Sequence, residues 1–115
     1  MKDFNINFCL ADSEYMTAVR LAVGAFCATC DQDVDKIEDM KVCVTESCII
    51  LKDCGFERAQ ITLVKGDAVT CEVSGVGGTP DSCDNEFSLA LVSALVAGCN
   101  IERREGVIYK LLLTL

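Results

Sequence analysis

The segment from Asp33 to Gly55 constrains the fold more than any other. Ile37, Met40, Cys43/Val44, Ser47/Cys48 and Leu51 recur at three- and four-residue spacing, so one face of a long helix is apolar. Asp33 supplies the oxygen that caps such a helix and Gly55 is the residue that stops it. The acidic cluster Asp31, Asp33, Asp35, Glu38 and Asp39 suits the positive end of its dipole, and reads as a helix start before it reads as a docking surface. One carboxylate, Glu46, stands apart among apolar neighbours. From the residues alone it is either a solvated helix side chain or part of a site.

Around this helix the period switches. Residues 4–10 alternate with period two and predict a strand. Asp12 and Ser13 then offer cap oxygens to a helix carrying Tyr15, Met16, Val19, Val23, Phe26 and Cys27 on one face, broken at Cys30-Asp31. Residues 57–64 and 68–74 alternate on either side of Lys65-Gly66-Asp67, which predicts an antiparallel hairpin. Gly75 to Asp84 holds three of the eight glycines and the only proline, so a loop is expected there. A helix from Asn85 to Gly98 follows, with the apolar stretch Phe87 to Cys99 read as a core helix. Strands 100–104 and 107–114 meet at Glu105-Gly106. The expected order is β-α-α-β-β-α-β-β. Hairpins dominate and no crossover series exists, so the class is α+β: a two-layer α/β sandwich with helices over one face of a mixed or antiparallel sheet.

With 115 residues, residues 1–115 form one domain with room for one core. Half of them are apolar (51%) and a quarter charged (24%), a balance that excludes a disordered chain. The apolar stretch Phe87 to Cys99 is shorter than the about twenty residues a membrane helix needs, and the start of the chain lacks the pattern of a signal peptide. A cytoplasmic protein is expected. A net charge of −8 argues against nucleic acid and for a protein or small-molecule partner. The nine cysteines are odd in number and scattered over apolar positions, as free buried thiols are. Cys27-Ala28-Thr29-Cys30 has the spacing of redox and zinc motifs, but it has no histidine and no second such pair, so no metal site is assigned. A redox- or metal-sensing module is the weakest of three functional readings.

The run Ile37 to Cys48 closely resembles a helix of bacterial anti-sigma factor serine kinases, in the GHKL (histidine kinase-like ATPase, Bergerat fold) superfamily. Glu14 to Gly24, with a Tyr ahead of the Arg20-Leu21 pair, is similar to their first helix. The resemblance implies the GHKL fold over nearly the whole chain, a dimer, and binding to a sigma factor or to an anti-sigma factor antagonist that is phosphorylated on serine. It also implies an ATP and Mg²⁺ site built from three motifs. In E-x-x-x-N the Glu is the general base and the Asn binds the metal. Glu46 stands in the first place and Ile50 in the second, and a branched hydrocarbon offers no oxygen to Mg²⁺. No Asn lies between Asn7 and Asn85 to replace it. In D-x-G-x-G the Asp holds the adenine amino group. The corresponding stretch is Ser74-Gly75-Val76-Gly77-Gly78, with Gly75 at the Asp position and Gly77 and Gly78 as the remaining glycines of the nucleotide site. The third motif is a glycine-rich lid, and residues 81–90 contain no glycine, so the lid is expected to be short or absent.

The charge pattern gives an independent check. No Lys or Arg falls between Lys65 and Arg103, whereas Glu72, Asp81, Asp84 and Glu86 do. A triphosphate without its metal meets carboxylates where it needs cations. Losing two or three polar contacts weakens binding about a hundredfold or more, and phosphoryl transfer is mostly positioning plus metal electrostatics. The expectation is a regulatory protein-binding pseudoenzyme. The alternative, an active ATP-dependent serine kinase, requires backbone contacts to replace the three missing elements.

Overall fold

The computed structural model describes residues 2–115. Five strands, β1 (Lys2–Cys9), β2 (Arg58–Lys65), β3 (Val69–Val76), β4 (Gly98–Arg104) and β5 (Val107–Thr114), form one sheet in the order β1-β2-β3-β5-β4. Every pairing is antiparallel. Three helices, α1 (Glu14–Thr29), α2 (Val34–Asp53) and α3 (Glu86–Leu95), supply the second layer. The coarse expectation of a two-layer α/β sandwich holds.

The alternation in the strands decides which face the helices cover. Ala59, Ile61 and Leu63 of β2, Val69, Cys71 and Val73 of β3, and Leu111 and Leu113 of β5 are buried with Met40, Cys43, Val44, Cys48, Ile50 and Leu51 of α2 in one core. The opposite face carries the intervening residues, among them Asn5, Asn7, Thr62 and Glu72. α2 lies in the middle of the helical layer, against β2, β3 and β5, with α1 beside β1 and α3 beside β4.

Helix ends follow the local chemistry unevenly. Asp33 caps α2, its Oδ1 accepting from the Lys36 N–H at 2.9 Å. Ser13 and Asn85 precede α1 and α3 without a side-chain cap bond, so the expected capping of α1 is not made. Gly55 ends α2 in the left-handed region (φ 96°), with its own N–H on Lys52 O and the Phe56 N–H on Leu51 O, a Schellman arrangement.

Four boundaries correct the sequence reading. β1 spans Lys2–Cys9, starting two residues before and ending one residue before the expected 4–10. β3 runs on through Gly75 and Val76, which pair with Ala59 and Arg58, so the loop starts at Gly77. α3 stops at Leu95 and Gly98 already opens β4. Phe87 to Cys99 is therefore not one core helix: α3 buries only Val92, and Phe87 is 79% exposed. Uninterrupted hydropathy hid the change from helix to strand, since a buried strand and a helix segment look alike in such a run. Tyr15, expected on the apolar face of α1, is exposed; Val19, Val23 and Cys27 are what that helix buries. No helix among the described residues is long and apolar enough to cross a membrane.

Candidate functional site: the face between α2, α3 and β3

Glu46 and Ile50 are one turn apart on α2, and both are turned toward elements that occupy the space in front of them. The Ser88 hydroxyl of α3 donates to Glu46 Oε2 at 2.9 Å. The Cys43 thiol, three residues before Glu46, donates to Val92 O of α3 at 3.7 Å. Ile50 is 1% exposed and belongs to the core. α3 thus sits on the turns of α2 that carry Cys43 and Glu46, while Ile50 is closed off within the core, its carbonyl accepting from the Cys83 thiol of the segment before α3 at 4.0 Å.

Gly75 shows why its residue type matters. It faces the helical layer with Val73 and Cys71, and the ring of Phe56 lies over it. A Cβ added at position 75 would stand 2.5 Å from Phe56 Cγ and 2.7 Å from both Cδ atoms. Any side chain there has to displace the ring. Phe56 was not singled out from the sequence. Its signal was its place just after the Gly55 stop, where an apolar residue commonly folds back on the preceding helix.

Gly77 and Gly78 both take left-handed φ values (72° and 75°), and a side chain at Gly78 would collide with the Gly55 carbonyl. The loop they open is tied to the end of α2: Thr79 N–H donates to Gly55 O at 3.2 Å and Asp81 N–H to Cys54 O at 2.7 Å. These glycines serve a turn packed on protein backbone. Beside Phe56 remains a hollow of about 120 Å³, lined by Pro80, Arg104, Glu105, Val107 and Tyr109, well under the roughly 300 Å³ of the smallest usual ligand pockets.

The cysteines are all free; six are buried, and Cys9, Cys83 and Cys99 are half-buried. Burial pushes the thiols of Cys48 and Cys43 up to about 12, the latter helped by Asp39 nearby. Burial and then the Cys83 thiol do the same for Cys54, and burial with neighbouring Cys30 raises Cys27 to about 11. Such thiols are protonated and poor nucleophiles. Among the described residues no group of three or more Cys, Asp or Glu is arranged to hold a metal ion.

No family model matches the chain, and no curated protein is matched by it.

Proposed function

We propose that this chain is a regulatory protein-binding module of GHKL ancestry, related to anti-sigma factor kinases, that does not bind Mg²⁺-ATP productively or transfer phosphate. One observation carries the reading: the Phe56 ring fills the place in front of Gly75 where the family's adenine-binding carboxylate would stand. The loss is then steric as well as chemical. Restoring the carboxylate alone would leave it no room.

Two further features support it. The metal-ligand position, Ile50, is sealed in the core, and Glu46, at the general-base position, spends an oxygen on Ser88. A general base has to reach the proton it abstracts, and here α3 stands in between. The proposed partner is a protein, a sigma factor or an anti-sigma factor antagonist in the family's manner, because a binding surface can outlast a nucleotide pocket on the same scaffold.

Calorimetric titration of the purified chain with Mg²⁺-ATP and Mg²⁺-ADP tests this. No heat of binding at about 1 mM nucleotide, the weak end of specific affinity, is the expected result. Micromolar binding, or phosphate transfer to an antagonist protein, overturns it in favour of an active serine kinase.

A further inference from the structure

Two thiols from segments far apart in sequence meet at the end of α2. Cys54 is the C-cap residue of that helix and is 3% exposed. Cys83 lies in the irregular segment between β3 and α3 and is half-buried. Backbone bonds fix that segment to the helix end, with Thr79 N–H on Gly55 O and Asp81 N–H on Cys54 O. Just beyond Asp81, the Cys83 thiol reaches back to the last turn of α2 and donates to Ile50 O at 4.0 Å. The same carbonyl accepts the Cys54 N–H at 3.0 Å. Both cysteines are gathered at one backbone oxygen.

Their side chains are neighbours as well. Cys54 has the Cys83 thiol and the Asn85 side chain as hydrogen-bonding neighbours, and the Asn85 amide donates to Cys83 Sγ at 3.9 Å. The other cysteines lack this combination of contact and access. Cys27 and Cys30, at the end of α1, are both buried. Cys48 and Cys71 are sealed in the core. Cys99 lies near Cys43, but the Cys43 thiol is turned to Val92 O. Cys9 stands on β1, at the opposite edge of the sheet from Cys99 on β4.

The difference in exposure sets the chemistry. Oxidation begins at a thiol that solvent reaches and finishes at one held beside it. Cys83 is the first and Cys54 the second. The deprotonated Cys83 sulfur attacks a peroxide, the O–O bond breaks, and Cys83 becomes a sulfenic acid while its proton ends on the departing oxygen. The Cys54 sulfur then displaces the sulfenic oxygen. Its S–H bond and the Cys83 S–O bond break, the S–S bond forms, and the oxygen leaves as water. The two sulfurs together lose two electrons, which the peroxide gains. Burial, and then the Cys83 thiol, push the Cys54 thiol up to about 12, which makes it unreactive toward solvent-borne reagents. Beside a sulfenic acid it reacts within the molecule, where proximity replaces encounter.

We propose that Cys54 and Cys83 form a peroxide-responsive dithiol site that closes to a disulfide and clamps the segment before α3 to the end of α2. The new bond adds a covalent tie where the Thr79 and Asp81 hydrogen bonds already hold the loop. Through that loop it leads to α3, whose Ser88 holds Glu46. Nothing in the site depends on nucleotide chemistry, so its failure and that of the proposed function are distinguishable.

The test treats the full reduced chain with hydrogen peroxide at neutral pH, alkylates the remaining thiols and maps the peptides without reduction by mass spectrometry. Cleavage after Lys52 and Arg58 isolates Cys54, and cleavage after Glu72 and Glu86 separates Cys83 from Cys71 and Cys99. Two of the nine thiols should be lost, with the Cys54 and Cys83 peptides joined and a dithiol reductant parting them. Cys83→Ser, at a half-buried position, should abolish the cross-link. Cys54→Ala should leave a Cys83 sulfenic acid that dimedone captures at least about tenfold more than in the wild type, with circular dichroism showing that each variant is folded. The wild-type map decides the matter without either variant. Oxidation of Cys83 that never links to Cys54 overturns the proposal, as does a disulfide confined to Cys27–Cys30 or Cys43–Cys99. So do nine thiols left free by excess peroxide.

Discussion

Two surfaces of the helical layer have opposite character. The face between α2, α3 and β3 is filled: Phe56 covers Gly75, Ile50 is in the core, and Ser88 holds Glu46. The groove between α1 and β1 is open and lined in part by Ala18, Ala22 and Ala25. The difference teaches where substitutions register. In the filled region a side chain contributes to folding; in the open one a substitution has little packing to disturb.

The largest effect is expected from Ile50→Asn, which restores the family's metal-ligand residue type. It removes buried hydrocarbon and buries an amide, and should cost about 4 kcal/mol in urea unfolding with no gain in Mg²⁺-ATP binding. A folded variant that binds nucleotide would break the comparison. Next comes Gly75→Asp, at about 3 kcal/mol, because the new Cβ forces the Phe56 ring aside. Its partner change, Phe56→Ala, should recover part of that loss in a double-mutant cycle, since the clash goes with the ring.

The thiols give the same comparison a pH dependence. Cys27, Cys43, Cys48 and Cys54 keep their protons up to about 11 to 12 when folded, against 9.0 for a free thiol. Between those values the unfolded chain has released protons that the folded one retains, so stability is fully present below pH 9 and falls as pH rises above it. Urea midpoints taken from pH 7 to pH 10.5 should decline only in the alkaline part. A flat profile would mean that these thiols are open to solvent.

Ser88→Ala should cost about 1 kcal/mol, the worth of one hydrogen bond. The smallest effect on folding belongs to the open groove: Ala25→Glu, at an exposed helix position, should change stability by less than about 0.5 kcal/mol in urea unfolding. A larger folding cost there would show the groove to be part of the core.

Much of this arrangement was legible in the chain because its signals are local. The Asp33 cap and the Gly55 stop mark α2 nearly to the residue, and Lys65-Gly66-Asp67 marks the β2–β3 hairpin, although Gly66 does not use left-handed backbone there and the turn continues to Ala68. What escaped was long-range. Gly75 looked like the start of a loop because a glycine cluster advertises a turn, and only the position of the Phe56 ring shows why a strand residue lacks a side chain. The burial of Ile50 depends on how α2 packs on the sheet. The apolar groove alongside β1 needs α1 folded back beside the strand before it exists.

The edge position of β1 also has a consequence during synthesis. Its only partner in the sheet is β2, and each pairing, from Cys9 with Arg58 to Lys2 with Lys65, joins residues some fifty to sixty positions apart. At about 5–20 residues per second, β1 leaves the ribosome several seconds before the strand that receives it. Through that interval the uncharged Phe-Asn-Ile-Asn-Phe segment exists without the strand that pairs with it in the finished sheet.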